Sequence, residues 1–384
     1  MDSAGNDAAA GPALIAGSAA LRRELSEPVQ LAGSDRSVVL RCADGRGSTV
    51  VVKTYPRENP GPACFAAEAA GLATAHGTGL APELLAADIG SLTVVMSDLG
   101  SGPSLADVLL GEAPAAGARA TLLEWARSCG ELSAATTSRM ADFETVLSRY
   151  LAGGPDLTDA ATLPGLILRA SERTAALTSQ PVSGLRGVRV PAGVDAELRA
   201  VARAVSPVRF PVFSPGDICP DNNLLTAGGI RFLDFESAGI YCAFLDAAYI
   251  RMPFSTCWCV FRLPVDIAAA AEAAYREQII GLHPALADDG VWADGVRSAV
   301  AAWSLSSFGW LLRRAVEGDD PMLPGRVSPS TRQLIRYRWQ ILLAELEPAG
   351  DLPALAELTR SLLAATAHWQ AVELPVYPAF RAPG

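Results

Sequence analysis

Lysine is almost absent from this 384-residue sequence: Lys53 is the only one, and the other thirty cationic residues are arginines. Charged residues make up only 19% of the chain, and the net charge is −10. The sequence therefore lacks the dense basic patches of nucleic-acid-binding proteins, and we expect no nucleic-acid partner. Histidine is scarce as well, with three residues, and none of them lies in a catalytic motif. Half of the residues are hydrophobic, which indicates a folded globular protein.

The sequence also lacks the two cysteine pairs of a zinc site and any apolar run long enough to span a membrane. The seven cysteines include one C-x-C pair, Cys257 and Cys259, but no second pair that would complete a zinc site. We therefore expect free thiols in a reducing cytoplasm. No cation precedes Arg22, so the basic start of a signal peptide is absent. The charge-free stretch 298–312 contains four serines and is too short and too polar to cross a bilayer, so we read it as a buried helix and expect no membrane contact.

Lys53 ends a run of β-branched residues, Thr49-Val50-Val51-Val52-Lys53, which predicts a strand. Lysine is a compact point charge on a flexible stem and arginine is a planar fork, so the two are not interchangeable at a tight site. One interpretation is a strand lysine that contacts a phosphate group. The other is an ordinary strand lysine with its ammonium group in water, left by chance in an arginine-rich sequence. The run alone does not decide between them.

The chain has two textures along its length. Residues 28–97 contain two hairpin patterns and one Ala-rich helical pattern, Cys64–Ala75. Beyond them, long helical patterns dominate. We therefore predict an α+β fold with a flexible N-terminal segment at 1–27, a small β-rich lobe at 28–97 and a large, mainly helical lobe at 98–384. A ligand cleft is expected where the two lobes join.

The strongest local motif places three polar residues around a predicted hairpin. Asp217 and Asn222 are five positions apart in a turn-rich segment, and Asp234 follows the second strand, twelve residues after Asn222. The hairpin would hold Asn222 and Asp234 at one end, where their oxygens suit Mg²⁺. Asp217 would then accept a proton from a substrate hydroxyl. Taken singly, each of the three is also explained as a turn or capping residue.

The joint pattern resembles the aminoglycoside phosphotransferase and choline-kinase-like family of small-molecule kinases, which have the two-lobed protein-kinase-like fold. The resemblance covers about residues 28–260. It implies that Asp217 is catalytic and that Asn222 and Asp234 bind Mg²⁺. It also implies that Lys53 holds the α- and β-phosphates of a nucleotide and that Glu68, on the following helix, pairs with Lys53.

Two further segments, 94–100 and 239–248, resemble parts of this family. Residues 94–100 are similar to the segment that joins the lobes, which implies that the Ser97 carbonyl and the Leu99 amide read the adenine. Glu236, in Asp-Phe-Glu, either touches the substrate or braces the loop. Asp246 would open a helix and brace the catalytic loop, although plain helix capping explains it too.

The sequence also departs from the family. Pro215 stands where the catalytic loop usually has histidine, so the loop loses a side-chain hydrogen bond. Ser133 replaces a second frequent histidine, and the phosphate loop at 31–37 has one glycine. The leading hypothesis is an ATP- or GTP-dependent kinase of a small-molecule hydroxyl, and the acidic net charge would favour a cationic acceptor. The alternatives are a catalytically silent kinase-like protein that binds a nucleotide or a partner, and a nucleotidyl transferase.

Overall fold

The computed structural model describes residues 3–34, 36–151, 185, 187–254, 257–307 and 311–381, with backbone only for 3–9 and 32–34. The chain forms two compact units. The first unit comprises Met1–Ser104, Ala135–Asp156 and Phe213–Ile240, and the second comprises Leu105–Ala134, Leu157–Val212 and Tyr241–Gly384. β-Structure lies mainly in the first unit and the second is mainly helical, so the predicted α+β class is confirmed.

A five-stranded antiparallel sheet forms the frame of the first unit. Its strand order is β1-β2-β3-β5-β4. The strands are β1 (Ser26–Ser34), β2 (Ser37–Ala43), β3 (Thr49–Thr54), β4 (Leu84–Asp88) and β5 (Thr93–Ser97). Lys53 lies opposite Val39 of β2 and Val94 of β5, so its strand is paired on both sides. The two hairpin patterns expected in residues 28–97 correspond to the antiparallel pairs β2–β3 and β4–β5, and the β-branched run 49–53 lies in β3.

The two faces of the sheet have different environments because side chains alternate along a strand. Helix α1 (Ser3–Leu21) covers one face, where Val50 and Val52 pack with Ala13 in a buried apolar cluster. The opposite face carries Val51 and Lys53, which line a cavity. β3 therefore joins an apolar core on one side to a polar site on the other.

Residues 1–27, expected to be a flexible segment, instead contain α1 and the first residues of β1. The helix is Ala-rich and places small residues against the sheet. A Cβ atom on Gly17 would lie 2.7 Å from a Val52 methyl group, which shows how closely α1 approaches β3. The Gly/Ala composition that suggested flexibility is what permits this contact.

The first unit also includes segments that the sequence analysis assigned to the C-terminal lobe. Helix α2 (Gly61–Ala75) packs against α5 (Met140–Leu151), and Phe65 meets Tyr150 edge to face with ring centroids 5.3 Å apart. A Cβ atom on Gly71 of α2 would lie 2.7 Å from that of Ala238. These contacts group 135–156 and 213–240 with the sheet, so the compact units do not divide at residue 97.

A β-hairpin near Asp234 completes the first unit. Strands β7 (Asn223–Thr226) and β8 (Gly229–Phe232) are antiparallel, with Asn223 opposite Phe232, as the sequence predicts. Strands β6 (Pro211–Ser214) and β9 (Gly239–Cys242) flank the segment in sequence.

The second unit is built mainly from helices. These are α3 (Leu105–Leu110), most of α4 (Ala115–Thr136), α6 (Val194–Ala204), α7 (Ala243–Arg251), α8 (Val265–Ile279), α9 (Asp289–Ser306), α10 (Leu311–Glu317), α11 (Thr331–Ala349) and α12 (Pro353–Ala365). Short 3₁₀ turns occur at Thr137–Arg139, in the first unit, and at Pro284–Ala287, Ala367–Trp369 and Pro378–Phe380.

A partly buried hydrogen-bonded cluster centred on Glu272 links three helices of the second unit. The Arg251 guanidinium donates to both oxygens of Glu272, at 2.8 and 2.7 Å, and Trp292 Nε1 donates to Glu272 at 2.7 Å.

The stretch 298–312, read above as one buried helix, contains the end of α9 and the start of α10, and its residues 308–310 lie outside the described residues. In the part of the chain that the structure describes, no helix combines the length and apolar character needed to span a membrane. All seven cysteines are free thiols.

Candidate active site

Lys53 and Glu68 form a buried ion pair. Lys53 Nζ lies 2.9 Å from Glu68 Oε2, and the side chain of Glu68 is completely buried. The same oxygen accepts hydrogen bonds from the Tyr55 hydroxyl at 3.0 Å and from the Phe235 amide at 3.1 Å. Glu68 thereby connects β3, α2 and the segment that follows β8.

Asp234 is the second acidic partner of Lys53. Its Oδ1 lies 2.9 Å from Lys53 Nζ and also accepts the Glu236 backbone N–H at 3.1 Å. The carboxylate is a quarter exposed, whereas that of Glu68 is fully enclosed. Lys53 therefore holds an accessible carboxylate at the edge of the cavity.

The pKa values of the three groups follow from burial and mutual charge. Burial raises the pKa of Glu68 to about 7, although the charge of Lys53 acts in the opposite direction. Burial would raise the pKa of Asp234 too, but the charge and hydrogen bond of Lys53 outweigh it, and that pKa falls below its usual value. Burial alone would lower the pKa of Lys53, yet Glu68, Asp234 and Glu236 raise it above its ordinary value. Lys53 is thus a fixed cation at every physiological pH.

Asp217 and Asn222 lie on one loop between β6 and β7. Gly216 has φ of +80°, in the left-handed region that favours glycine, and turns the chain just before Asp217. The Asn222 side-chain amide donates to the Asp217 carbonyl at 3.2 Å, so the two residues are joined directly. The Asn222 carbonyl accepts the Leu233 N–H at 2.9 Å, which extends the hairpin ladder by one pair and brings Asn222 beside Asp234.

Two residues that the sequence analysis overlooked shape this loop. The buried Asn223 side chain donates to the carbonyls of Cys219 and Pro220, at 3.3 and 2.9 Å. Ser214 Oγ accepts the Gly216 N–H at 3.1 Å, so the loop has a side-chain hydrogen bond although Pro215 supplies none. The Ser-Pro-Gly sequence and the second of the two adjacent asparagines are the signals that could have revealed these bonds.

A cavity of about 420 Å³ lies within the first unit, on the Lys53 face of the sheet. Most of the predicted site residues line it, and Asp217 and Glu68 lie outside this lining. The lining residues are Leu31, Arg36, Ser37, Val39, Val51, Lys53, Pro82, Met96, Ser97, Leu99, Asp221, Asn222, Leu233, Asp234 and Glu236. Asp246 lies elsewhere, buried in the first turn of α7 in the second unit.

The segment around Ser97 and Leu99 is fixed to the sheet by Asp98. Arg41 of β2 donates to both Asp98 oxygens, at 2.6 and 2.9 Å. Asp98 also accepts from Thr49 at 2.6 Å and from the Gly100 amide at 2.9 Å. Burial would raise the pKa of Asp98, but these bonds outweigh it and hold that pKa below its usual range. The anchoring role of Asp98 could not be predicted from the sequence, because its arginine partner is 57 residues away.

Asn222 and Asp234 offer oxygen atoms of the kind that bind Mg²⁺. The side-chain nitrogen of Asn222 donates to the Asp217 carbonyl, so the side-chain oxygen of Asn222 would be the atom to face a cation. Asp234 Oδ1 accepts from Lys53 and from the Glu236 amide, so Oδ2 would be the atom to face a cation. One carboxylate and one amide oxygen beside a cavity fit a cation that completes its shell with phosphate oxygens and water.

Glu236 belongs to the same cluster. Its Oε2 lies 3.4 Å from Lys53 Nζ, and its Oε1 lies 3.0 Å from Arg36 Nη1. Burial raises the pKa of Glu236, as does the charge of Asp234, while Lys53 and Arg36 act in the opposite direction. The sequence analysis left the role of Glu236 open and gave Arg36 none.

No protein-family model matches the sequence, and no curated protein matches it. The chain is similar to a solved choline kinase from Cryptosporidium parvum Iowa II, with 14% identity, 86% of this chain and 91% of that chain covered, and a TM-score of 0.49. It is also similar to a macrolide 2'-phosphotransferase from Brachybacterium faecium, with 16% identity, 88% and 98% covered, and a TM-score of 0.47. A third similar structure is an amicoumacin kinase in complex with AMP-PNP, Ca²⁺ and Ami, with 12% identity, 82% and 87% covered, and a TM-score of 0.44.

Proposed function

We propose that this protein is a phosphotransferase that moves the γ-phosphate of ATP or GTP to a hydroxyl group of a small molecule. The observation that carries the proposal is the placement of Lys53, which is held at 2.9 Å by both Glu68 and Asp234 at the wall of a cavity that Asn222 also lines. A fixed cation beside a carboxylate–amide pair suits a metal-bound polyphosphate.

The nucleotide would enter the cavity with its base among apolar side chains. The apolar surface consists of Val39, Val51, Met96 and Leu233. The backbone groups of Ser97 and Leu99 would form hydrogen bonds with the edge of the base. The Asp98 hydrogen bonds hold this segment in place before the ligand arrives, which lowers the entropy lost on binding.

Each polar residue would have one task in the transfer. Lys53 would orient the α- and β-phosphates, with Glu68 fixing the position of its ammonium group. Asn222 and Asp234 would hold Mg²⁺, which supplies positive charge to the phosphates when bound. Asp217 would accept a hydrogen bond from the acceptor hydroxyl and take its proton as the oxygen attacks the γ-phosphorus. The bond from the γ-phosphorus to the β–γ bridging oxygen would break, and the nucleoside diphosphate would leave. Catalysis of this kind consists mainly of alignment and charge neutralisation.

The remaining roles concern the surroundings of the site. Asp246 would brace its helix rather than touch the substrate, and Glu236 would act within the phosphate region. The acidic net charge favours a cationic acceptor. We place the reaction in the cytoplasm, where ATP is available and the seven thiols stay reduced.

The test is a screen of hydroxyl compounds with γ-labelled ATP and Mg²⁺, covering amino alcohols, sugars, nucleosides and antibiotics. The wild type should transfer label to at least one class. The variant Asp217→Asn should lose transfer by about two to four orders of magnitude and still bind Mg²⁺–ATP. The control is Asp142→Asn, at an exposed position of α5, which should behave as the wild type.

Three outcomes contradict the proposal in different ways. If the protein binds Mg²⁺–ATP but shows neither phosphate transfer nor slow ATP hydrolysis, the catalytically silent alternative is favoured. Attachment of the nucleotide's AMP portion to the acceptor would identify a nucleotidyl transferase. Failure of the wild type to bind Mg²⁺–ATP at all would end the nucleotide hypothesis.

A further inference from the structure

Glu236 forms a bridge between two cations at the cavity wall. Its two carboxylate oxygens face different partners, Arg36 Nη1 at 3.0 Å and Lys53 Nζ at 3.4 Å. The Glu236 side chain is only 8% exposed, so neighbouring residues enclose it and limit its movement. A carboxylate between two cations occupies the kind of position that a phosphate oxygen prefers.

Arg36 is the solvent-exposed partner in this arrangement. It lies in the turn between β1 and β2, and its side chain is 66% exposed. Lys53, in contrast, is enclosed and anchored by Glu68 and Asp234. When a competing anion arrives, the exposed arginine can exchange the Glu236 carboxylate for a phosphate oxygen, because both are charged acceptors of the same kind of hydrogen bond.

The charges around the cavity show why such an exchange is needed. Among the described lining residues, Arg36 and Lys53 are the cations, and Asp221, Asp234 and Glu236 are the acids. The charge of Lys53 is already shared with two carboxylates at 2.9 Å. Arg36 has the planar fork that binds two phosphate oxygens at once, and it is the lining cation whose partner can be replaced.

We propose that Arg36 is a phosphate-binding residue that Glu236 holds in reserve, and that an incoming polyphosphate takes the place of the Glu236 carboxylate at the Arg36 guanidinium. Glu236 thus acts as a built-in competitor of the terminal phosphates. The inference rests on the proposed function, because it presumes that a nucleoside triphosphate enters this cavity. In many nucleotide-binding sites the backbone amides of a glycine-rich loop contact the phosphates. Here the turn between β1 and β2 is poor in glycine, and the Arg36 side chain would make the phosphate contact instead.

The test is direct binding, with no turnover. Isothermal titration with inorganic tripolyphosphate, and separately with ATP, is run in EDTA so that no metal contributes, on the wild type, Arg36→Gln, Glu236→Gln and the double variant. The control is Arg46→Gln, which removes the same charge from an exposed position in the β2–β3 turn. Thermal unfolding verifies that each variant is folded.

The proposal predicts effects of opposite sign. Arg36→Gln should weaken binding roughly tenfold, the size of one hydrogen bond to a charged group, and Arg46→Gln should change it much less. Glu236→Gln should strengthen binding by a similar factor of about ten. In the Arg36→Gln background, the gain from Glu236→Gln should be at least about threefold smaller, since the two residues act as a coupled pair.

Each contrary result has its own meaning. Equal binding by Arg36→Gln and the wild type overturns the inference and leaves the proposed function standing. An equal gain from Glu236→Gln in both backgrounds means that Glu236 only repels anions, which also overturns it. If the wild type binds neither tripolyphosphate nor ATP, in EDTA or with Mg²⁺, both the inference and the proposed function are refuted.

Discussion

Replacement of Lys53 by methionine should make the stability of the protein depend on pH in a way that the wild type does not share. Methionine keeps the length and the apolar stem of lysine and removes its charge. The Glu68 carboxylate is then buried without a cation, and its Oε1 has no hydrogen-bond partner among the described residues even in the wild type. We expect Glu68 to take up a proton in the variant and to keep it to a higher pH.

The size of the effect follows from proton linkage. In the wild type, Lys53 limits the pKa of Glu68 to about 7, so as pH rises past 7 Glu68 becomes ionised in the folded state as it already is in the unfolded state. In Lys53→Met the folded pKa is higher, and folding is coupled to uptake of one proton through that range. Stability that depends on a raised pKa is present at low pH and lost as pH rises. The variant should therefore lose up to about 1.4 kcal/mol per pH unit relative to the wild type above pH 7.

The assay is urea unfolding at pH 6, 7, 8 and 8.5 in EDTA, with Arg46→Met as the control at an exposed site. The difference in unfolding free energy between the wild type and Lys53→Met should be constant below pH 7 and should grow above it. A difference that is the same at all four pH values would refute the account of Glu68 as a buried carboxylate whose charge depends on Lys53.

Two further predictions concern the frame of the site. Gly17→Ala should destabilise the protein by about 1–3 kcal/mol, because the new methyl group would lie 2.7 Å from Val52. Gly11→Ala on the same helix, with open space around it, should stabilise the protein slightly. Urea unfolding compares the two variants, and equal effects would contradict the close packing of α1. Asp98→Ala should weaken both nucleotide binding and stability by about 1–3 kcal/mol each, because it frees the segment around Ser97. The control Asp88→Ala, which removes a similar turn carboxylate, should lower stability alone. Unchanged ATP affinity in Asp98→Ala would show that the segment needs no anchor.

Four of the five strands of the sheet, β2 to β5, could be read from the sequence because their signals are local. The run before Lys53 and the turn residues at 44–47 specify a hairpin without help from the rest of the chain. The helix that carries Glu68 was recognisable for the same reason, and so was the hairpin between Asn222 and Asp234.

Features that depend on distant partners were missed. Nothing near Arg41 in the sequence indicates Asp98 as its partner, and Arg36 and Glu236 are separated by most of the chain. The assignment of residues 1–27 failed differently. An Ala/Gly-rich segment is compatible with a flexible tail or with a tightly packed helix, and the sheet face that receives α1 decides between them.

The central claim is that the cavity beside Lys53 binds a nucleotide through that lysine, and equilibrium binding of Mg²⁺–ATP to the wild type and to Lys53→Arg tests it most directly. Lys53 Nζ reaches Glu68 and Asp234 at 2.9 Å in an enclosed space, where a planar guanidinium does not replace a compact ammonium group. The account predicts that the wild type binds and that Lys53→Arg, although folded, binds at least about tenfold more weakly. Equal affinity in the two proteins, or no binding by the wild type, would contradict it.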